Sequence, residues 1–179
     1  MLDAEDLRHH LVAAARHGAS GDEKPGLVDG RGIRRDLSAI LRDIAGPALS
    51  RESLDRLRRI DPESLPVVPE DRRLGPCVGG TRNVVAIGLN YTDHAAEIGA
   101  DIPAEPILFN KAPSCLVGAN DRVILPKGSA KTDWEVELAM VIGARASYVH
   151  ADEALSYVAG FEMALAQFMN VLGIARSSD

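Results

Sequence analysis

Apolar and acidic residues alternate in one segment of this chain, where Val136, Leu138 and Met140 are interleaved with Glu135 and Glu137. Since alternate side chains of an extended strand share a face, the pattern predicts a strand with its apolar residues on the core and both carboxylates on the other side. Neighbouring like charges destabilise a strand, and a cation between them would remove that repulsion. Paired carboxylates favour Mg²⁺, Mn²⁺ or Ca²⁺. The alternative is an ordinary half-exposed strand whose acidic face is solvated.

A short apolar strand at 84–88, followed by an Ala-rich run, predicts a strand and then the first turns of a helix. On that helix His94 and Glu97 stand three residues apart and share a face. A carboxylate beside an imidazole orients the ring and fixes its tautomer, which suits the ring to take a proton from water. The alternative is a solvated helix start with no chemical role.

A second strand, predicted over 106–111, places Lys111 at its end. The ammonium of Lys111 would hold an anionic substrate by charge. The alternative is an ordinary surface lysine, since most lysines are solvent-exposed.

The N-terminal part predicts a helix followed by a hairpin. Residues 2–17 have acidic residues in the first turn and basic ones in the last, with Asp3 as the cap and Gly18 as the end. Residues 25–37 predict a hairpin that turns around Asp29.

Further along, a helix is predicted from Ser50 to about Ile60. Residues 61–80 are rich in proline and glycine and predict a linker that ends in a short strand. Strands are expected to dominate from about residue 83, with hairpin turns near residues 120 and 127. Residues 152–159 predict a helix.

The last part of the chain predicts another helix over 162–172, since Leu165, Phe168, Met169 and Leu172 recur at helical spacing and Gly173 follows. Such a helix would either pack on the remaining core or mediate association through its apolar stripe.

Composition narrows the function classes. At 179 residues and 46% hydrophobic, the chain can bury one core and a small second domain. A net charge of −6 argues against nucleic-acid binding. No apolar run approaches the ~20 residues of a membrane span, and the acidic start lacks the features of a signal peptide. Cys77 and Cys115 are too few for a disulfide framework, so a cytoplasmic protein is expected.

Taken in order, these motifs resemble the fumarylacetoacetate hydrolase family. The residues that carry the resemblance are Ile87-Gly88-Leu89-Asn90-Tyr91-x-x-His94-x-x-Glu97, Pro103-Ala104-Glu105-Pro106, Phe109-x-Lys111-x-x-Ser114, Gly118-x-Asn120-Asp121 and Lys131-Thr132-Asp133-Trp134-Glu135-Val136-Glu137-Leu138. Upstream, Glu23-Lys24-Pro25-Gly26-Leu27, Arg35-Asp36-Leu37 and Leu74-Gly75-Pro76-Cys77-Val78 resemble the small N-terminal domain of the bacterial branch that acts on 2,4-diketo-3-deoxy sugar acids.

The resemblance implies an α+β fold, a β-rich mixed-sheet roll of the fumarylacetoacetate hydrolase type that is incomplete here, with a small N-terminal α/β domain. Three parts are expected: 1–75 as the small N-terminal domain, 76–161 as a partial catalytic domain, and 162–179 as a divergent helical segment. Family members are commonly dimers, so a homo-oligomer is expected.

The resemblance also implies site residues and chemistry. Glu135 and Glu137 match two of three carboxylates that hold Mg²⁺ or Mn²⁺, with Ca²⁺ as a further option. His94 and Glu97 match the dyad that activates water, and Lys111 matches a lysine of the substrate pocket. The implied reaction is hydrolysis of a carbon–carbon bond in acylpyruvate-like or 2,4-diketo acids, which are small-molecule keto acids.

The third carboxylate of the family is expected at about position 166, where this chain has Ala166. The family pattern is lost after about Phe161, which predicts a truncated form with weakened metal binding. Three alternatives therefore stay open: an active hydrolase; a lyase, hydratase or decarboxylase acting on related keto acids; and a non-catalytic fragment that associates with a full-length relative.

Overall fold

The computed structural model describes residues 13–129 and 132–169. It begins with a three-stranded antiparallel sheet of β1 (Ala14–His17), β2 (Lys24–Val28) and β3 (Arg34–Asp36), in that order. The predicted N-terminal helix is therefore wrong for residues 14–17, and the rest of it lies outside the described residues. Pairing with β2 outweighs the helix propensity of the alanines, which is only a weak local preference.

The predicted hairpin of 25–37 is confirmed by the pairing of β2 with β3. Its turn is held by Asp29, whose Oδ1 accepts hydrogen bonds from the backbone N–H groups of Arg31 and Ile33, both at 2.9 Å. The other oxygen of Asp29 accepts from Nη2 and Nε of the Arg35 side chain at 2.8 and 3.0 Å. Burial opposes ionisation, yet these bonds outweigh it and lower the pKa of Asp29. The turn is thus closed by a buried ion pair.

The helix predicted from Ser50 is confirmed as α1 (Arg51–Leu57), which ends earlier than Ile60. Ser50 caps it by accepting a hydrogen bond on Oγ from the Ser53 N–H. One face of α1 packs on the N-terminal sheet. The core there consists of Leu27, Leu37 and Leu57, with the partly buried Leu41, Leu54, Ile60 and Leu65 around it.

The linker predicted for 61–80 contains a short 3₁₀ helix (Pro62–Ser64). The short strand expected at its end does not form. Single β-bridges tie the linker back instead, from Arg35 to Val67, from His17 to Leu74 and from Ala45 to Gly79.

The next unit is a hairpin of β4 (Val84–Gly88) and β5 (Ile107–Lys111), paired antiparallel. Between the two strands lies the short helix α2 (Thr92–Glu97). All three elements agree with the patterns that predicted them. The turns near residues 120 and 127 are present, but no strand lies between β5 and residue 130 in the described chain, so they do not close hairpins.

The longest strands are β6 (Thr132–Ile142) and β7 (Val158–Met169), paired antiparallel as a two-stranded ribbon. The helix predicted for 162–172 is wrong over residues 162–169, and residues 170–172 lie outside the described part. The helix predicted for 152–159 is reduced to a 3₁₀ turn (Ala154–Tyr157). Apolar spacing in 162–172 fitted a helix, but hydrogen bonding to β6 over the whole strand decides the conformation.

Packing of Val136, Leu138 and Met140 against a core was also predicted, and that prediction is wrong. All three side chains are more than half exposed, because no described element covers their side of the ribbon.

The α+β class holds, with short helices and small sheets. Within the described residues, however, the sheets are antiparallel rather than mixed, and they do not close into a roll. No helix in the described ranges is long and apolar enough to cross a membrane.

Candidate functional site

Glu135 and Glu137 lie on one face of β6, as the alternation predicted, and both are half-buried. Neither carboxylate has a hydrogen-bond or ion-pair partner among the described residues. Two like charges on one face of a strand repel each other, so this face of the ribbon suits a cation.

Strand β7 adds a third carboxylate to that face. The ribbon pairs Glu135 with Ala166 and Ala139 with Glu162, and paired residues of antiparallel strands point to the same side. Glu162 therefore lies diagonally across from Glu137. The apolar spacing of this segment predicted a helix and therefore gave Glu162 no role. A strand was indicated by alternation, since the apolar Phe161 and Met163 flank Glu162.

Glu162 is engaged by the linker. The thiol of Cys77 donates a hydrogen bond from Sγ to Oε2 of Glu162 at 2.7 Å. Burial, and then this hydrogen bond and the negative charge of Glu162, raise the pKa of the Cys77 thiol to about 12. Cys77 therefore stays protonated at neutral pH, and its proton occupies one of the oxygens that would otherwise be open to a cation.

His94 and Glu97 lie on the same side of α2, with Nδ1 of His94 4.0 Å from Oε2 of Glu97. This separation is within ion-pair range but too long for a hydrogen bond. Their side chains are 45% and 81% exposed, so the pair is open to water. The residue that precedes the helix, Tyr91, is its N-cap, and the Tyr91 side chain makes no capping hydrogen bond.

Lys111 ends β5, where it pairs with Val84 at the start of β4. The chain leaves β4 for α2 at the opposite end of this hairpin, next to Ile107. The Nζ atom of Lys111 lies 5.9 Å from the centre of the Phe109 ring, a cation–π distance. Lys111 and the start of α2 therefore lie at opposite ends of the β4–β5 hairpin.

The structure brings the predicted residues together as two pairs, one on α2 and one on β6. No described hydrogen bond or ion pair joins these pairs to each other. Within the described residues, no group of three or more His, Cys, Asp and Glu side chains is placed to hold a metal ion. The convergence of His94 with the two glutamates stays a prediction.

A cavity lies elsewhere in the described part of the chain. It has a volume of about 510 Å³ and is lined mostly by the N-terminal sheet and the linker, including Arg34, Arg72 and Asp121. None of the predicted site residues lines it. The arginines that line this cavity are engaged in holding the fold. Arg34, for example, donates from Nη1 to the Arg72 carbonyl oxygen at 2.8 Å.

Asp121, part of one of the recognised motifs, also has a structural partner. It accepts two hydrogen bonds from Arg73, at 2.7 and 2.6 Å, and one from the Gly118 N–H at 2.7 Å. These bonds lower the pKa of Asp121. Arg73 also donates to Glu23 at 2.9 Å. The motif loop is thereby fastened to the N-terminal sheet.

Comparison with known proteins agrees with the motifs. A family profile described as fumarylacetoacetate (FAA) hydrolase C-terminal matches residues 83–166. A protein of Burkholderia cenocepacia that carries only a general, provisional hydrolase name is 53% identical over 146 residues, which are 82% of this chain and 52% of the relative. A Burkholderia ambifaria protein gives the same identity and coverage. The chain thus spans about half the length of the curated relatives it matches.

Two solved structures are similar in fold. The fumarylacetoacetate hydrolase of the psychrophile Exiguobacterium antarcticum superimposes with a TM-score of 0.71 at 25% identity, over 89% of this chain and 57% of that one. A Mycobacterium smegmatis protein provisionally designated HpcE gives a TM-score of 0.68 at 29% identity, over 92% of this chain and 58% of that one. Residues 83–166 therefore match the fumarylacetoacetate hydrolase family.

Proposed function

We propose that the protein serves a divalent-metal-dependent hydrolase activity on a carbon–carbon bond of acylpyruvate-like or 2,4-diketo acids. The observation that carries this proposal is the pair of half-buried carboxylates on β6, Glu135 and Glu137, which share a face and have no partner among the described residues. The match to the family suggests the reaction class, and the pair of glutamates suggests the site.

The donor set fits a hard cation. Two carboxylates with room for water suit Mg²⁺ or Mn²⁺, which keep several waters in their shell, and Ca²⁺ is a third option. When bound, the metal would supply a Lewis acid at the 2-keto acid end of the substrate. Glu135 and Glu137 would hold it from one side of the ribbon.

The other residues have roles that follow from their chemistry. His94 would take the proton of the attacking water, and Glu97 would orient the imidazole once their 4.0 Å separation closes to a hydrogen bond. Lys111 would hold the anionic end of the substrate by charge. Both α2 side chains are exposed, so water reaches them freely.

Metal binding is expected to be weak. Ala166 stands where the family resemblance expects the third carboxylate, and Glu162 on the same face already accepts a hydrogen bond from Cys77. Two protein carboxylates then remain, with water completing the shell. A dissociation constant in the high micromolar to millimolar range would be consistent with this set.

The finer assignments rest on the resemblance alone. A 2,4-diketo-3-deoxy sugar acid is the substrate that the N-terminal motifs suggest, and a homo-oligomer in the cytoplasm is the assembly and location that accompany it. The proposal includes neither nucleic acid nor membrane as a partner.

Calorimetric titration with Mg²⁺ and Mn²⁺ tests the site. We expect binding by the wild-type protein, loss of it in Glu135→Gln, and no change in Glu153→Gln, a matched exposed glutamate outside β6 and β7. With acylpyruvate as substrate, His94→Ala is expected to abolish turnover while metal binding persists. No binding at millimolar metal, or equal loss in both glutamate variants, would refute the proposal.

A further inference from the structure

His17 is a buried histidine that the proposed hydrolase chemistry does not use. Its side chain is only 6% exposed, and Nε2 has no hydrogen-bond partner among the described residues. Oδ2 of Asp36 lies 4.0 Å from Nε2, which is within ion-pair range but too long for a hydrogen bond. In the neutral ring Nε2 is therefore unsatisfied, whereas a protonated ring would place an N–H opposite a carboxylate.

The register of the N-terminal sheet explains how His17 reaches Asp36. Gly26 on β2 pairs with Ala15 on one side and with Asp36 on the other, and His17 follows Ala15 by two residues on the same face. A Cβ on Gly26 would lie 3.3 Å from Cδ2 of His17, so the imidazole extends over this glycine. His17 and Asp36 therefore meet across the central strand.

The linker extends the sheet beyond β1 at the position of His17. Residues 73–75 of the linker pair with residues 16–18 through a β-bridge at His17. Two backbone hydrogen bonds, donated by Gly18 at 2.9 Å and by Gly75 at 2.8 Å, complete this pairing. His17 thus lies at the joint between the N-terminal sheet and the linker.

The same stretch of the linker holds the motif loop, which comprises residues 118–121. The side chain of Arg73 donates two hydrogen bonds to Asp121, at 2.7 and 2.6 Å. Gly118 lies so close to the Leu74 carbonyl oxygen that a side chain at this position would have no room. Detachment of residues 73–75 from the sheet would therefore remove the support of the motif loop.

A proton on His17 would be poorly compensated in this position. Burial opposes a charged ring and lowers the pKa of His17 from its ordinary value of 6.5. Asp36 attracts the charge, whereas Arg72 of the linker and Lys24 of β2 repel it. The carboxylate of Asp36 also accepts a hydrogen bond from the Ser38 N–H at 2.6 Å. The docked linker is therefore compatible with the neutral ring.

We propose that His17 is a proton-operated lock: the neutral ring keeps residues 73–75 on the N-terminal sheet, and protonation releases them together with the motif loop. Release lets the imidazolium reach water, which removes the cost of burying its charge. The motif loop thereby becomes less firmly held as the pH falls from about 7.5 to about 5.5, the range in which a solvated histidine gains its proton. The lock requires neither a bound metal nor turnover.

Hydrogen exchange of the full chain, resolved by NMR, tests the lock through the amides of Gly18, Gly75 and Gly118. Exchange is compared with that of an unstructured amide at the same pH, so its intrinsic pH dependence cancels. We expect the opening constant of these amides to rise up to about tenfold between about pH 7.5 and pH 5.5, because the open state binds the proton more readily. His17→Gln should abolish the rise, whereas His150→Gln, at an exposed histidine, should retain it.

The wild-type chain alone stays decisive if His17→Gln does not fold. The opening constants should follow the titration of the His17 ring in the same spectra, and the linker amides should open at a lower free energy than the Leu37 amide in the core. Opening constants that do not change with pH, an equal rise in His17→Gln, or linker amides that open only together with Leu37 would each overturn the lock. These outcomes are read without metal, so they are separate from failure of the proposed hydrolase site.

Discussion

Glu135 on β6 pairs directly with Ala166 on β7. Facing residues of antiparallel strands hold their Cβ atoms about 5 Å apart, close enough for two carboxylates to share one ion. The family resemblance predicts a third carboxylate at about position 166, and this register pairs that position with Glu135. Whether one carboxylate at position 166 completes the site is a prediction that a single substitution tests.

Ala166→Asp should strengthen metal binding. The new carboxylate would face Glu135 and add a third charged ligand, so we expect Mn²⁺ affinity to rise at least about tenfold in a calorimetric titration. The control Met163→Asp adds the same charge on the opposite face of the ribbon and should leave affinity unchanged. Equal gains in both variants would show a general charge effect rather than a site.

The thiol of Cys77 should be slow to react with a disulfide reagent. Burial and Glu162 raise the pKa of the Cys77 thiol to about 12. At pH 8 its thiolate fraction is therefore far below that of an ordinary thiol, whose pKa is about 8.5. The exposed Cys115 should react first.

Glu162→Gln removes the negative charge and should accelerate the reaction of Cys77 while the rate of Cys115 stays unchanged. Peptide mapping of the labelled cysteines distinguishes the two. If the reaction rate of Cys77 is the same in the wild type and in Glu162→Gln, the contact between β7 and the linker is contradicted.

Arg35→Ala should destabilise the N-terminal sheet strongly. Arg35 and Asp29 are both buried, and removal of the guanidinium leaves a carboxylate without its counter-ion. Breaking a buried pair in this way costs about 3–5 kcal/mol. Urea unfolding should show this as a drop in the free energy of unfolding. Arg56→Ala, at an exposed ion pair on α1, is the matched control and should cost less than about 1 kcal/mol.

Stability should fall as the pH drops below about 6.5. Burial lowers the pKa of His17 from its ordinary value of 6.5, although nearby Asp36 raises it and Arg72 and Lys24 lower it further. The unfolded state then binds the proton more readily, so the stabilisation is complete above the unfolded pKa and declines below it, by at most about 1.4 kcal/mol per pH unit. His17 is also the residue whose buried Nε2 has no hydrogen-bond partner in the described chain.

Urea unfolding between pH 7 and pH 5.5 measures this decline. His17→Gln should flatten the profile, whereas His150→Gln, at an exposed histidine, should retain it. The pKa of buried carboxyl groups such as Asp29 is lowered from the ordinary value of an aspartate, so these groups act outside this window. A wild-type free energy of unfolding that does not change between pH 7 and pH 5.5 would contradict this prediction.

Local patterns predicted the elements that local physics determines. The hairpin around Asp29, the helix capped by Ser50 and the strand carrying Glu135 all follow from turn chemistry, capping and alternation, and all are present. The i, i+3 relation of His94 and Glu97 also holds, because helix geometry fixes it.

The failures lie where distant pairing outweighs local preference. Residues 14–17 and 162–169 fit helical patterns, yet hydrogen bonding to β2 and to β6 makes them strands. The contact between Cys77 and Glu162 joins residues 85 apart in sequence, and no local pattern could predict it. Alternation correctly separated the faces of β6, but it could not predict that the apolar face of this chain would be uncovered.

The proposed site requires that Glu135 and Glu137 together hold a divalent cation. Electron paramagnetic resonance of Mn²⁺ measures this, because bound ions lose the sharp signal of free Mn²⁺. We expect the wild-type protein to reduce this signal and Glu135→Gln/Glu137→Gln to restore it, while Glu153→Gln matches the wild type. An undiminished signal at millimolar wild-type protein, or an equal reduction by the double variant, would exclude the site.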